Sequence, residues 1–157
     1  MATSAAWIKK ANALKPKNNL FIDGKFVPAI SGKRFETLAP RDGSVITKVA
    51  RGEKADVEIA VKVAAKAFES GVWSNATPRH RQKVLTRLSE LMLENLEELA
   101  LLEALETGHP ISDSLNVDVP SAARTYRWYA DAIDKVYGEI APTASNTLAL
   151  ISREPLG

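Results

Sequence analysis

The sequence predicts a mixed α and β fold, with an N-terminal β-hairpin and short strands, three main helices and a C-terminal strand. Three observations predict it. Asp-Gly and Pro punctuation cuts residues 20–49 into short apolar runs. From Asp56 onward the apolar residues recur at helical spacing. A short apolar run then returns at Thr147–Ile151. The 157 residues suit one domain, and a chain of about 150 residues can bury roughly 68–70% of its unfolded surface. Hydrophobic and charged contents of 45% and 25% are those of an ordinary globular protein.

Residues 4–15 read as a short helix with Trp7, Ile8 and Ala11 on one side. Pro16 disfavours helical geometry at Lys15 and ends it. Leu20-Phe21-Ile22-Asp23-Gly24-Lys25-Phe26-Val27 predicts two strands joined by a two-residue turn. Asp-Gly suits that turn because both central residues need positive φ. Pro28 ends the second strand or places it at an edge. Ser31-Gly32-Lys33 reads as a turn before a strand from Arg34 to Leu38. Pro40-Arg41-Asp42-Gly43 is another turn, and Val45 to Val49 another strand.

Asp56 reads as the N-cap of a helix carrying Val57, Ala60, Val61, Ala64, Ala67 and Phe68 on one face, with Gly71 as its stop. The next helix is capped by Thr77 with Pro78 in the first position. Leu85, Leu88, Met92, Leu96, Leu99 and Leu102 repeat along it, and Gly108 and Pro110 close it. Leu91, Leu101 and Leu105 widen its apolar surface, so its second half is expected to pack on more than one side. Arg79, His80, Arg81 and Lys83 crowd its start and Glu103 and Glu106 its end, against the helix dipole. A third helix is expected from Asp118, with Tyr126, Tyr129, Ile133 and Val136 or Tyr137 buried and Gly138 as its end. The apolar strand over Thr147–Ile151 needs a partner strand from this chain or from another copy, because terminal segments order poorly without one.

A net charge of +2 gives no reason to expect a nucleic-acid or membrane partner. The basic cluster Arg79, Arg81, Lys83 and Arg87 lacks the aromatic platform that would accompany base stacking. No apolar run approaches the ~20 residues of a membrane span, and residues 1–17 lack the apolar core of a secretion signal. A cytoplasmic setting is the expectation. The sequence holds no cysteine, so it offers no disulfide, thiolate ligand or cysteine nucleophile. His80 and His109 fall at opposite ends of one predicted helix, too far apart to share a metal. No serine sits in a Gly-x-Ser-x-Gly elbow, and no Gly-x-Gly-x-x-Gly or phosphate loop occurs. Trp128 and Tyr129 suit a ligand pocket or a core, and helical spacing favours the core. No catalytic or cofactor-binding residue is assigned.

The order of these segments resembles the N-terminal portion of an aldehyde dehydrogenase from about Asn19 to Gly157. Leu20 to Lys25 is similar to that family's opening hairpin. Leu38-Ala39-Pro40 followed by Asp42-Gly43 is similar to its early asparagine-proline turn, with Ala39 in place of the asparagine. Ala60 to Phe68 with Val72-Trp73-Ser74, and Arg81 to Leu85 with Glu98 to Pro110, resemble its first two long helices. Arg153-Glu154-Pro155-Leu156-Gly157 resembles the strand leading into its nucleotide domain. Trp128-Tyr129-Ala130 and residues 132–139 are most similar to members that oxidise aminoaldehydes of polyamine breakdown, of the γ-glutamyl-γ-aminobutyraldehyde type.

The resemblance implies residues 1–18 as an arm and 19–157 as a partial N-terminal region (nucleotide-binding plus oligomerisation), an incomplete α/β fold without the catalytic domain. It implies a parent reaction in which a cysteine thiolate attacks the aldehyde, hydride passes to NAD or NADP, and a glutamate-activated water releases the acid. Without a cysteine, no turnover is expected from this chain alone, and neither nucleotide is expected to bind it well. A monovalent cation is implied at the Leu38 carbonyl and the Glu106 carboxylate, where the family often has aspartate, with a third ligand from outside this stretch. Self-association, or association with a full-length homologue, is implied through the strand edges, as in the family's homo-oligomers. A non-catalytic interaction module is the alternative. An independent small α+β binding protein, unrelated to dehydrogenases and free of exposed apolar patches, is a third reading.

Overall fold

The computed structural model describes residues 4–156. Its strands form three separate antiparallel ribbons, and its helices from residue 78 onward gather around one tight seam. The mixed α and β class expected from the sequence is the one observed.

Helix α1 (Ser4–Ala13) precedes strands β1 (Leu20–Ile22) and β2 (Lys25–Val27). Asp23 and Gly24 join these strands with φ of 53° and 72°, the left-handed pair that a twisted two-residue hairpin requires. Phe21 faces Phe26 across the ribbon, ring centroids 5.0 Å apart. Strands β3 (Arg34–Leu38) and β4 (Val45–Ala50) pair in a second ribbon, with a register shift between Thr37 and Leu38. The Arg34 guanidinium stitches the two ribbons by donating to the Asn18 and Lys48 carbonyls and to Asn19 Oδ1. The Ala50 amide adds a bond to the Asn18 carbonyl.

Helix α2 (Lys54–Glu69) starts earlier than expected. Glu53, not Asp56, is its N-cap. Asp56 sits one turn further in, 4% exposed, and its two oxygens accept the Glu53 and Ile30 amides at 2.9 Å each. A carboxylate with two such donors satisfies the helix start and ties the loop after β2 to it. As expected, α2 ends before Gly71, which has φ of 72°.

The long leucine-rich helix is two helices, α3 (Pro78–Glu94) and α4 (Leu96–Thr107). Thr77 caps α3 as expected, accepting the His80 amide, and Pro78 opens it. The break is at Asn95, whose φ and ψ of −107° and 23° leave the helical region. Its side-chain amide donates to the Leu91 carbonyl at 2.8 Å, the local competition for backbone partners that makes asparagine a poor mid-helix residue.

The third helix also departs from expectation. Helical structure begins at α5 (Ile111–Asp113), passes through a π-helical turn at Ser114–Asp118, and continues as α6 (Val119–Ala132). It ends at Ala132 rather than at Gly138. Its buried side chains are Val119, Ala123 and Ala130. Of the residues expected in the core, Tyr126 and Tyr129 are exposed, as are both Val136 and Tyr137, one of which is expected there, while Ile133 is half-buried. Small residues win this interface because α6 lies close against α3: Ser89 Oγ donates to the Ala123 carbonyl at 2.8 Å inside the contact. Trp128 packs edge-on against Tyr129, centroids 5.0 Å apart, and is itself 64% exposed. The expected C-terminal strand is β6 (Ala149–Ile151), shorter than Thr147–Ile151, and this chain supplies its partner, β5 (Glu139–Ala141).

The interior is thin. Its buried apolar residues are five alanines lying near the strands and in the helices, together with Ala39, Val119 and Leu101. The accessible surface is 11824 Å², whereas a compact monomer of this length exposes roughly 7,800 Å². Large apolar side chains lie on this surface, among them Val57, Val61, Val72, Trp128, Ile140, Leu148 and Leu150.

The Asp56 bonds hold its carboxyl below the ordinary carboxylate range, the Glu53 amide contributing most and the Ile30 amide next. A carboxyl depressed on folding binds fewer protons folded than unfolded, so its contribution is complete above the ordinary aspartate pKa of ~3.9 and fades as pH falls below it. Asp56→Ala is expected to lower the thermal midpoint by several degrees at pH 7 and by much less at pH 3. Asp56→Asn, which keeps one acceptor oxygen, recovers part of the loss. Thermal melts across pH 3–7 check both.

Candidate functional site

The two positions assigned a cation, Leu38 and Glu106, lie on segments that meet. Leu38 closes β3 just after the register shift, and its side chain is half exposed. The turn that follows is built by backbone bonds: the Ala39 amide donates to the Ser44 carbonyl and the Gly43 amide to the Ala39 carbonyl, each at 2.8 Å. Asp42 Oδ1 locks the turn by accepting the Ser44 hydroxyl at 2.6 Å and the Ser44 amide at 3.0 Å. The Ser44 hydroxyl and then the Arg41 guanidinium, 2.8 Å from Oδ2, hold the Asp42 carboxyl far below the usual range. These bonds present Pro40 outward.

Pro40 meets the end of α4. Gly108 caps that helix with φ of 77°, and its Cα approaches so closely that a Cβ there would stand 3.6 Å from Pro40 Cβ. Glu106, exposed, lies two residues before that contact, and Leu38 lies two residues before Pro40. Among the described residues no hydrogen bond or ion pair engages the Glu106 carboxylate. A free carboxylate and a peptide carbonyl are oxygen donors of the kind that hard cations take, so the residues present fit two of the ligands such an ion needs. No group of three or more His, Cys, Asp or Glu side chains that could hold a metal occurs among the described residues.

His80 lies in the first turn of α3 and His109 just after the end of α4, on two helices rather than the one expected. His109 Nδ1 lies 3.5 Å from Asp118 Oδ2, which links the end of α4 to the π-helical turn. Two buried polar atoms have no hydrogen-bond partner among the described residues, Arg81 Nε and Ser114 Oγ. The crowding of cations at the start of α3 is the sequence signal that marks Arg81. Nothing in the sequence marks Ser114 or the π-helical turn.

Dinucleotide binding needs free amides at a helix start facing a phosphate. The short β4-to-α2 connection is the strand-to-helix turn in which to look. There the Glu53 amide is already taken by Asp56, and Glu53 and Asp56 themselves place negative charge at the helix start. That turn does not fit a phosphate. Trp128 and Tyr129 lie open to solvent on α6 and belong to no core among the described residues.

The sequence model of the aldehyde dehydrogenase family matches residues 26–157. The NADP/NAD-dependent aldehyde dehydrogenase PuuC of Escherichia coli is 49% identical over 153 residues, covering 98% of this chain and 31% of PuuC. The crystal structure of the aldehyde dehydrogenase KauB from Pseudomonas aeruginosa superposes on all of this chain with a TM-score of 0.96 at 49% identity, over 32% of KauB. That of γ-glutamyl-γ-aminobutyraldehyde dehydrogenase from Burkholderia cenocepacia gives 0.95 at 47% identity, covering 99% of this chain and 32% of that one. The chain thus spans about a third of the length of the relatives it matches. These matches overturn the reading of an unrelated small binding protein, as do the exposed apolar side chains.

Gly108→Ala forces a side chain into left-handed backbone, a strain of roughly 1–2 kcal/mol, while its new methyl meets Pro40 at an ordinary 3.6 Å. A loss of about 1 kcal/mol in denaturant-measured stability is expected, with the slope of the transition unchanged.

Proposed function

The chain belongs to the aldehyde dehydrogenase family, and we propose that it is the N-terminal region of an NAD(P)-dependent enzyme that oxidises an aminoaldehyde of polyamine breakdown to the acid. The observation that carries the proposal is the match over residues 26–157 together with the likeness to PuuC and to γ-glutamyl-γ-aminobutyraldehyde dehydrogenase. Thiolate attack, hydride transfer to the nicotinamide and hydrolysis need groups that these 157 residues do not contain, beginning with a cysteine. The contribution of this chain is scaffolding. It supplies the helical seam, the ribbons and the apolar faces on which a catalytic region packs. Its excess surface, and the unpartnered Arg81 Nε inside it, support that role.

Two finer parts follow. The Leu38 carbonyl and the Glu106 carboxylate hold a monovalent cation with a third oxygen from outside these residues, supported by the Pro40–Gly108 contact that joins their segments. The β5–β6 ribbon, with Ile140, Leu148 and Leu150 each about 70% exposed, is an association surface for another subunit. An apolar ribbon with open edges favours pairing with a further strand.

Residues 1–157 alone, incubated with NAD or NADP and γ-aminobutyraldehyde, are expected to form no reduced nucleotide. The longer polypeptide carrying them is expected to turn over, with kcat/KM at least tenfold higher than for an unsubstituted aldehyde of equal length. Turnover by residues 1–157 themselves, or no aminoaldehyde preference in the longer protein, contradicts the proposal. In the longer protein, potassium or sodium is expected to raise the thermal midpoint, and Glu106→Gln to abolish the rise. Light scattering is expected to find residues 1–157 associated, and Leu150→Lys to shift them toward monomer.

A further inference from the structure

Helix α1 has no buried residue. Isolated helices shorter than ~12–15 residues are marginal in water, so a helix of 10 residues holds its shape only while docked. The arm over residues 4–18 carries Lys9, Lys10, Lys15 and Lys17 and no acidic side chain. The first turn of α4 offers Glu97 and Glu98. Lys10 Nζ reaches across the chain to pair with the Glu97 carboxylate. The same ammonium lies 4.7 Å from the centroid of the half-buried Trp7 ring. Trp7 and Glu97 are thus coupled through one cation. The pair is open to water, its side chains 44% and 64% exposed. Helix α1 precedes residues 26–157, the span of the family match, yet it lies within the stretch that superposes on KauB. It is thus shared with KauB while lying outside the span of the family model.

We infer that α1 is an electrostatic strap: an N-terminal arm fastened to the start of α4 through Lys10, helical when docked and released when the Lys10–Glu97 pair is screened or removed. An exposed ion pair shifts an equilibrium by about 1.4- to 5-fold. Screening of the pair therefore changes the docked population by a factor of that size. Its release frees the Glu97 carboxylate at the start of the helix that carries Glu106 at its other end. The inference does not depend on which aldehyde the protein oxidises, and its test does not read turnover.

Hydrogen–deuterium exchange, followed by mass spectrometry on the longest polypeptide carrying these residues, tests it. Glu97→Lys and Lys10→Glu are each expected to raise exchange in residues 4–13 by two- to fivefold, with α3 and α6 unchanged. The combined Lys10→Glu, Glu97→Lys protein is expected to restore protection. Sodium chloride at 1 M, which shortens the Debye length to about 3 Å, is expected to produce the same rise in the unmodified protein and no further rise in the single variants. Salt acts without any substitution, so the result stands even where a variant fails to fold. Unchanged exchange in α1 under salt, equal rises across α3 and α6, or no recovery on reversing the pair overturns the strap.

Discussion

Close approach between α3 and α6 sets the terms for the rest of the structure. Ser89 and Ala123 meet in the contact, where the Ser89 hydroxyl donates to the Ala123 carbonyl, and Ala130 of α6 is fully buried. A seam made of such residues admits no large side chain. Leu88, Leu91, Tyr126 and Trp128 of the same two helices stand partly or largely in water, while Leu85 is half-buried.

That geometry explains what could be read from the sequence. Local chemistry was legible: Asp23-Gly24 dictates its hairpin through positive φ, Thr77-Pro78 starts its helix, and Gly108 ends one. Those signals need no knowledge of neighbours. Burial was less legible, because periodicity identifies an apolar face without saying what covers it. Tyr129 and Tyr137 lie at the expected spacing and still face solvent. The break at Asn95 was hidden because leucines continue at helical spacing through it, while the competing bond from its side chain is a local event. Strand β5 escaped notice because three residues, Glu139, Ile140 and Ala141, carry almost no alternation. The π-helical turn has no sequence period of its own.

The candidate site was legible only through resemblance. Neither Leu38 nor Glu106 has a spacing that suggests a ligand, since the first contributes only its backbone carbonyl. The structure adds a physical link that the sequence does not contain, the approach of Pro40 to Gly108. The Asp42–Ser44 bonds stiffen one side of that link, and the left-handed Gly108 cap permits the other. The lack of a cysteine was the plainest reading of all, because it follows from composition. A sequence without cysteine has no thiol to place.

Surface and polarity then converge on incompleteness of packing. Helix α2 is amphipathic by sequence, yet its apolar residues Val57 and Val61 are about 60% exposed. What ties its start to the β2 loop is a carboxylate, Asp56, rather than an apolar interface. A surface roughly 4,000 Å² above that of a compact monomer exceeds the roughly 1,000–2,500 Å² that each partner of an obligate interface contributes. Burial on that scale stabilises at about 25 cal/mol per Å² of apolar area, which far exceeds what the Ser89 seam or any single cap contributes. The local order of this chain is thus encoded in its turns, caps and the Asp56 bonds, whereas many of its large apolar side chains lie on faces that nothing among the described residues covers.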